Sequence, residues 1–183
     1  MMKKTRWGGV ALSLFLLAAE AGAVDGVSLM AGRANKGDDA NLWQVGFQWN
    51  WQKQWITEGD WRVGGYWDVM LGVLKGDSPL GGNKDLANIG IAPVFRLQQK
   101  TPSAIAPFLE AGLGLHLFSG RRIHAAKTFG STYEFGSHLG AGVRFGPKRA
   151  FELGYRFQHY SNAGIKKPNP GINFNEIRFQ YHF

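Results

Sequence analysis

A histidine and a serine two residues apart, His159 and Ser161, are the pair in this chain best suited to covalent chemistry. An imidazole beside a hydroxyl can take its proton, and the oxygen then attacks an ester carbonyl. Such a pair needs two more parts: a group that holds the imidazole in one tautomer, and donors for the charge that builds on the carbonyl oxygen. Asn162, Ala163 and Gly164 follow Ser161 as a small-residue turn whose backbone N–H groups suit the second task. Asn173 suits the first if the chain returns as a hairpin, and Glu176 is the charged alternative. The chain has no Cys, so a thiol nucleophile, a disulfide and a Cys-based metal site are all excluded.

The elements that would position these residues are strands. In 41–51, Trp43, Val45, Phe47, Trp49 and Trp51 alternate with Gln44, Gly46, Gln48 and Asn50. This period of two makes one face apolar and the other polar or small. The same alternation predicts strands over about 26–34, 61–73, 86–99, 104–118, 131–146, 150–161 and 172–183, eight in all. Gly76 to Lys84 and Gly146-Pro147-Lys148-Arg149 read as connections. No linker separates a second domain, so residues 24–183 form one.

Two architectures fit alternating strands: a soluble barrel with an apolar inside, or a membrane barrel with an apolar outside. Seven Trp and 13 Phe would overfill a small lumen. The polar face carries Arg62, Asp68, Arg96, Glu110, Glu134, Arg144, Glu152 and Arg156 with many of the 26 glycines, as a narrow side-chain-filled interior requires. Several strands reach the roughly 9–11 residues that cross a bilayer. An even strand count closes without an exposed edge. Trp49, Trp51, Trp55 and Trp61 suit an interfacial belt. The chain ends in Phe183, which resembles the signal by which bacterial outer-membrane barrels are recognised for insertion. The expected fold is therefore all-β: an eight-stranded antiparallel transmembrane β-barrel of the outer membrane.

The first residues fit that destination. Lys3, Lys4 and Arg6 precede an apolar run from Gly8 to Ala19, and Ala21-Gly22-Ala23 supplies a cleavage site, so residues 1–23 read as a secretory signal peptide. Its removal takes three basic residues and Glu20, lowering the formal charge of +8 by two. Export argues against nucleic acid as the partner of this basic chain and favours anionic lipid.

Parity places the candidate residues. Leu153, Tyr155 and Phe157 share a face with His159 and Ser161, while Glu152, Arg156 and Gln158 point into the lumen. A polar pair aimed at lipid calls for an explanation. The plainest is a strand end in the headgroup zone, but the small turn and an outward Asn173 beside Ile177 and Phe179 complete a hydrolytic set. Glu176 has the wrong parity unless a bulge intervenes. His116, His138 and His182 lie inward on separate strands without metal-ligand spacing and read as lumen filling. Neither a metal nor another cofactor is expected. The glycines at 112 and 114 lack a strand-to-helix setting and read as relief of crowding. His124 with Arg121, Arg122 and Lys127 reads as a basic loop, either solvated or facing lipid phosphates. Lys166 and Lys167, beside the proposed site, suit those phosphates better.

The stretch HYSNAGIKKPNPGIN, with IAPVFR, PFLEAGLG and LFSG upstream, resembles the PagL-type lipid A 3-O-deacylases over essentially the whole mature chain. The resemblance implies an eight-stranded barrel whose His-Ser pair faces lipid and hydrolyses the ester-linked 3-hydroxyacyl chain at position 3 of lipid A. It makes His159 the general base and Ser161 the nucleophile, with Asn162 and the backbone around Ala163 and Gly164 stabilising the oxyanion. The best-described member of that family has a Glu as third triad element, and counting from His159 the matching position here is Asn173. The expected partners are lipid A and outer-membrane lipids, and a homodimer is compatible. The pair is also similar to outer-membrane phospholipase A, but those barrels are larger and need calcium, for which no outward Ser and Asp cluster is seen. A structural or adhesive barrel is the non-enzymatic alternative, and it would need none of the clustered residues.

Overall fold

A computed structural model of the protein describes residues 24–56, 59–100 and 104–183. The proposed signal peptide lies outside the described residues. Alternation becomes strands almost where it is written: β1 (Gly26–Ala34), β2 (Ala40–Asn50), β3 (Trp61–Gly76), β4 (Asp85–Gln99), β5 (Ala106–Phe118), β6 (Arg122–His124), β7 (Lys127–Thr128), β8 (Tyr133–Phe145), β9 (Phe151–Ser161) and β10 (Ile172–His182). Eight of these close an antiparallel barrel in the order β1-β10-β9-β8-β5-β4-β3-β2, with β1 pairing back to β2. Closure leaves no strand edge unpaired, which is the condition for crossing hydrocarbon.

The outward face is a belt of exposed Leu, Ile, Phe and Trp, including Leu29, Trp43, Ile91, Leu115, Leu139, Phe157 and Phe179. Water would not tolerate so continuous an apolar surface, whereas a bilayer demands it. No described helix is long and apolar enough to span a membrane, so the crossing is made by strands. Trp51 packs edge to face on Trp55, Trp67 and Phe95 near the end that holds both described termini.

Inside the barrel, an ion network fills the middle. The Arg156 guanidinium donates from Nε to Glu110 at 2.7 Å, from Nη1 to Asp68 at 3.0 Å and from Nη2 to the Tyr66 hydroxyl at 2.8 Å. Arg96 and Arg178 each donate to Glu152 at 2.7 Å, and His182 Nε2 lies 2.9 Å from the same carboxylate. Rings and glycines interleave here: a Cβ on Gly90 would fall 2.2 Å from His116, and one on Gly112 would fall 2.4 Å from His138.

Two expectations change. The lumen is not polar throughout. At the end opposite the termini, Leu42, Leu74, Leu86, Phe118, Tyr160 and Phe174 form an apolar plug, sealed by Ile123 and Phe129. Ile123 belongs to the small β6–β7 hairpin, which alternation missed. This hairpin also changes the reading of 121–127 as a basic loop, solvated or facing phosphates: Arg121 and Arg122 are exposed, but His124 and Lys127 are drawn into the protein. His124 is buried with Nε2 3.0 Å from the Asp38 carbonyl, and Lys127 pairs with the Asp38 carboxylate. Arg121 stays exposed and donates to the Gly130 carbonyl at 3.3 Å.

Breaking a buried ion network on one side leaves charges without partners and costs about 3–5 kcal/mol. Arg156→Met should lower stability by that order, because Glu110 and Asp68 each lose a direct partner. Denaturant titration in detergent micelles measures it. An unchanged midpoint would show that the network contributes little.

Candidate active site

The site stands at the plugged end of the barrel, where β9 hands over to β10. Their register sets Asn173 directly across from His159 and Ile172 across from Tyr160. Tyr160 is fully buried in the plug, so strand geometry turns its neighbours His159 and Ser161 to the outer wall. The imidazole Nδ1 lies 2.7 Å from Asn173 Oδ1. An amide oxygen only accepts, so Nδ1 carries a proton, and in the neutral ring Nε2 then holds the lone pair a general base needs. Glu176 is buried in the lumen with no access to the imidazole face. The parity argument for Asn173 over Glu176 therefore matches the geometry.

Ser161 follows on the same face, about 6.6 Å along the strand by the rise per residue. Among the described residues it makes no hydrogen bond to the imidazole. A second hydroxyl stands nearby that sequence reasoning overlooked: Ser137 of β8 is directly opposite His159. Only the cross-strand register brings it there.

The turn after Ser161 is tight. Asn162 O accepts from Ile165 N at 3.1 Å, and both central residues have positive φ, 54° at Ala163 and 77° at Gly164. A non-glycine residue in that region is strained, and such strain clusters at functional sites. Among the described residues, the Ala163 and Gly164 N–H groups have no acceptor. Asn162 differs. Its side chain is buried and spans the loop, donating to Lys166 O at 2.9 Å and accepting from Lys166 N at 3.3 Å. Its own N–H donates to Asn169 Oδ1 at 3.0 Å. Those groups shape the turn rather than face a reacting oxygen. Lys166 and Lys167 are exposed on the same loop, beside the exposed Ile165.

Two glycines hold this arrangement in place. Gly171 has φ of 57°, and a Cβ there would lie 2.9 Å from His159 Cε1, so its bare backbone backs the ring. A Cβ on Gly130 would meet Pro168 O at 2.2 Å and Asn162 Nδ2 at 2.6 Å, so the β7–β8 connection buttresses the turn from outside the hairpin. Gly130, Asn169 and Gly171 were not expected as site residues. Positive φ gives a reason for a glycine at 171, but nothing local in the sequence announces contacts between loops. No group of three His, Asp or Glu that could hold a metal occurs among the described residues.

Comparison with known proteins bears on this geometry. A family model described as lipid A 3-O-deacylase (PagL) matches residues 42–182. The lipid A deacylase PagL of Pseudomonas aeruginosa is 32% identical over 136 residues, 74% of this chain and 75% of the relative. Its counterpart from Bordetella bronchiseptica is 41% identical over 76 residues, 42% of this chain and 41% of that one. The crystal structure of the outer membrane enzyme PagL superposes with a TM-score of 0.75 at 32% identity, covering 86% of this chain and 99% of the other. Neisserial surface protein A, at 14% identity and a TM-score of 0.50 over 86% of this chain and 94% of its own, shares the fold alone.

Gly171→Ala should displace the imidazole and cut ester turnover by an order of magnitude or more, since even about 1 Å of misplacement is costly. Barrel folding should survive, because the residue lies outside the strands. The check is turnover of a chromogenic ester beside heat-modifiable gel mobility. Full turnover in the folded variant would show that Gly171 does not hold the ring.

Proposed function

The chain belongs to the lipid A 3-O-deacylase (PagL) family, and on that premise we propose that it releases the ester-linked 3-hydroxyacyl chain at position 3 of lipid A with Ser161 as nucleophile and His159 as general base. It is an ester hydrolase of the outer membrane, and lipid A is the substrate its family names. The observation that carries the residue assignment is the 2.7 Å contact from His159 Nδ1 to Asn173 Oδ1 on the lipid-facing wall, one residue from Ser161 along that face.

The chemistry follows from the tautomer. Ser161 Oγ attacks the acyl carbonyl carbon while His159 Nε2 takes the hydroxyl proton. Negative charge moves onto the carbonyl oxygen, and the unengaged N–H groups of Ala163 and Gly164 are the donors for it. Asn162 supports them by fixing the turn. As the carbon–oxygen bond to the sugar breaks, the imidazolium returns its proton to the sugar oxygen and Ser161 keeps the acyl group. Water, deprotonated by His159, then attacks the acyl-serine; a 3-hydroxy fatty acid leaves and Ser161 regains its proton. Asn173 holds the imidazole but places no negative charge beside the imidazolium. Lys166 and Lys167 are placed to meet lipid phosphates. All these residues come from one hairpin of one chain. Residues 1–23 act before this, as an export signal that is removed.

Mass spectrometry of lipid A incubated with purified protein tests the reading. Loss of one 3-hydroxyacyl mass is expected with the wild type and with Ser137→Ala, and none with Ser161→Ala. The reverse result for the two serines would transfer the nucleophile to β8. Intact lipid A with cleaved phospholipid would assign a phospholipase, and no cleavage of either a structural barrel.

The orienting residue is tested separately. Asn173→Ala should lower turnover on the order of 10²-fold, the scale of a misplaced general base. Asn173→Glu, which still accepts from Nδ1–H, should stay active. Undiminished turnover in Asn173→Ala would remove Asn173 from the mechanism.

A further inference from the structure

On the outer wall, two strands from the catalytic serine, the apolar belt is interrupted by a groove. Its floor is Ala31 of β1, and cross-strand pairing sets Ile177 of β10 on one side and Trp43 of β2 on the other. Leu29 and Phe179 bound its lower end, and this shallow, open groove holds about 370 Å³. Trp43 and Ile177 are 57% and 55% exposed, so they stand up from the wall as the groove's sides.

The next outward position on each strand is polar. Register aligns Asn175, Arg33, Asn41, Lys75 and Asp85 in one continuous cross-strand row. Directly above the groove, Arg33 Nη1 donates to Asn41 Oδ1 at 2.9 Å and to Asp77 at 2.6 Å. Asn175 donates to Asn35 at 2.8 Å, and the Asn35 N–H donates to the carbonyl of Asn173. The polar row is thus tied to the residue that orients His159. Polar side chains on a lipid-facing wall mark headgroup depth, so the groove starts at the headgroups and runs toward the hydrocarbon.

We propose that this groove is a second lipid site, taking a non-scissile acyl chain of the same lipid A molecule whose ester is presented to Ser161, with the sugar headgroup lying across Asn175, Arg33 and Asn41. The inference rests on the deacylase reading and adds to it. Strands are spaced about 4.8 Å apart, so β1 lies roughly 10 Å around the wall from β9. A headgroup that carries several acyl chains spans such a distance, and a single-chain ester does not. The headgroup is an amphiphilic sugar, and the row offers it the amides of Asn175 and Asn41 and the guanidinium of Arg33. The site would therefore act on binding and orientation rather than on bond breaking. It would make the enzyme prefer a multiply acylated substrate over a simple ester.

The absence of Cys in this chain permits a clean test. Ala31→Cys is folded first and then capped with octyl methanethiosulfonate, which fills the groove reversibly. Affinity for hexa-acyl lipid A is read by native mass spectrometry on a Ser161→Ala background, which binds without turnover. Octylation should weaken binding about tenfold, the loss of one good contact, and reduction should restore it. With Ser161 intact, turnover of a single-chain p-nitrophenyl ester should not change. Ala31→Trp, which fills the same space with a side chain already used on this wall, should reproduce the loss. Unchanged lipid A affinity in both forms overturns the proposal, as does equal loss of simple-ester turnover. Failure of the deacylase reading looks different: the parent enzyme would bind lipid A and leave it intact.

Discussion

Inside a bilayer every backbone N–H and C=O must find a partner in the protein, and that constraint governs the rest of this molecule. It forces the strands to close, with β1 pairing to both β10 and β2. Closure fixes the parity of each strand, because a slip of one residue would turn the apolar row inward and the arginines out to lipid. Once parity is fixed, His159, Ser161 and Asn173 have no route to the lumen. The proposed active site faces lipid because the backbone leaves these side chains nowhere else to go.

The interior answers the same constraint in two ways along its length. In the middle, the guanidiniums of Arg96, Arg156 and Arg178 pair with the carboxylates of Glu110, Glu152 and Asp68, and Tyr66 joins the network through Glu110. Such networks add little net stability, but removing one member is costly, so they fix which strand faces which. Behind the active site the filling is apolar instead. Tyr160 sits between His159 and Ser161 in sequence and packs inward against His116, Phe118 and Phe174. A largely apolar plug under β9 backs the outward side chains, and lipid can approach the hairpin only from the outer wall.

Much of this was legible in the sequence because period-two alternation is a local signal. Strand ends fell within three residues of expectation, and parity alone separated Asn173 from Glu176. The apolar plug was less visible. Leu42, Leu74, Leu86, Phe118 and Phe174 share the inward parity, but each sits at the end of its own strand, and only the barrel gathers those ends into one layer. The β6–β7 hairpin escaped notice because its anchor, Asp38, lies 86 residues before His124. Ser137, Asn169, Gly130 and Gly171 matter through neighbours in other strands or loops, and no local pattern marks them. Long-range contact is what the one-dimensional reading lacked.

The use of an amide to orient the imidazole has its own consequence. A carboxylate presents an acceptor whichever way it rotates, so it always selects the tautomer with the proton on Nδ1. An amide has one accepting end and one donating end. With Oδ1 toward the ring, as here, Nε2 is free to take a proton. With Nδ2 toward the ring, the proton would be forced onto Nε2 and the base would be lost. In the proposed mechanism, orientation of Asn173 is therefore part of the chemistry, not just of the packing. The surroundings hold what an amide alone would leave loose: Asn35 N–H ties the Asn173 backbone, and Gly171 backs the imidazole from the other side. Replacing a charged orienter by a neutral one removes an anion from a wall that faces lipid, and shifts the task of choosing the tautomer onto the loops around it.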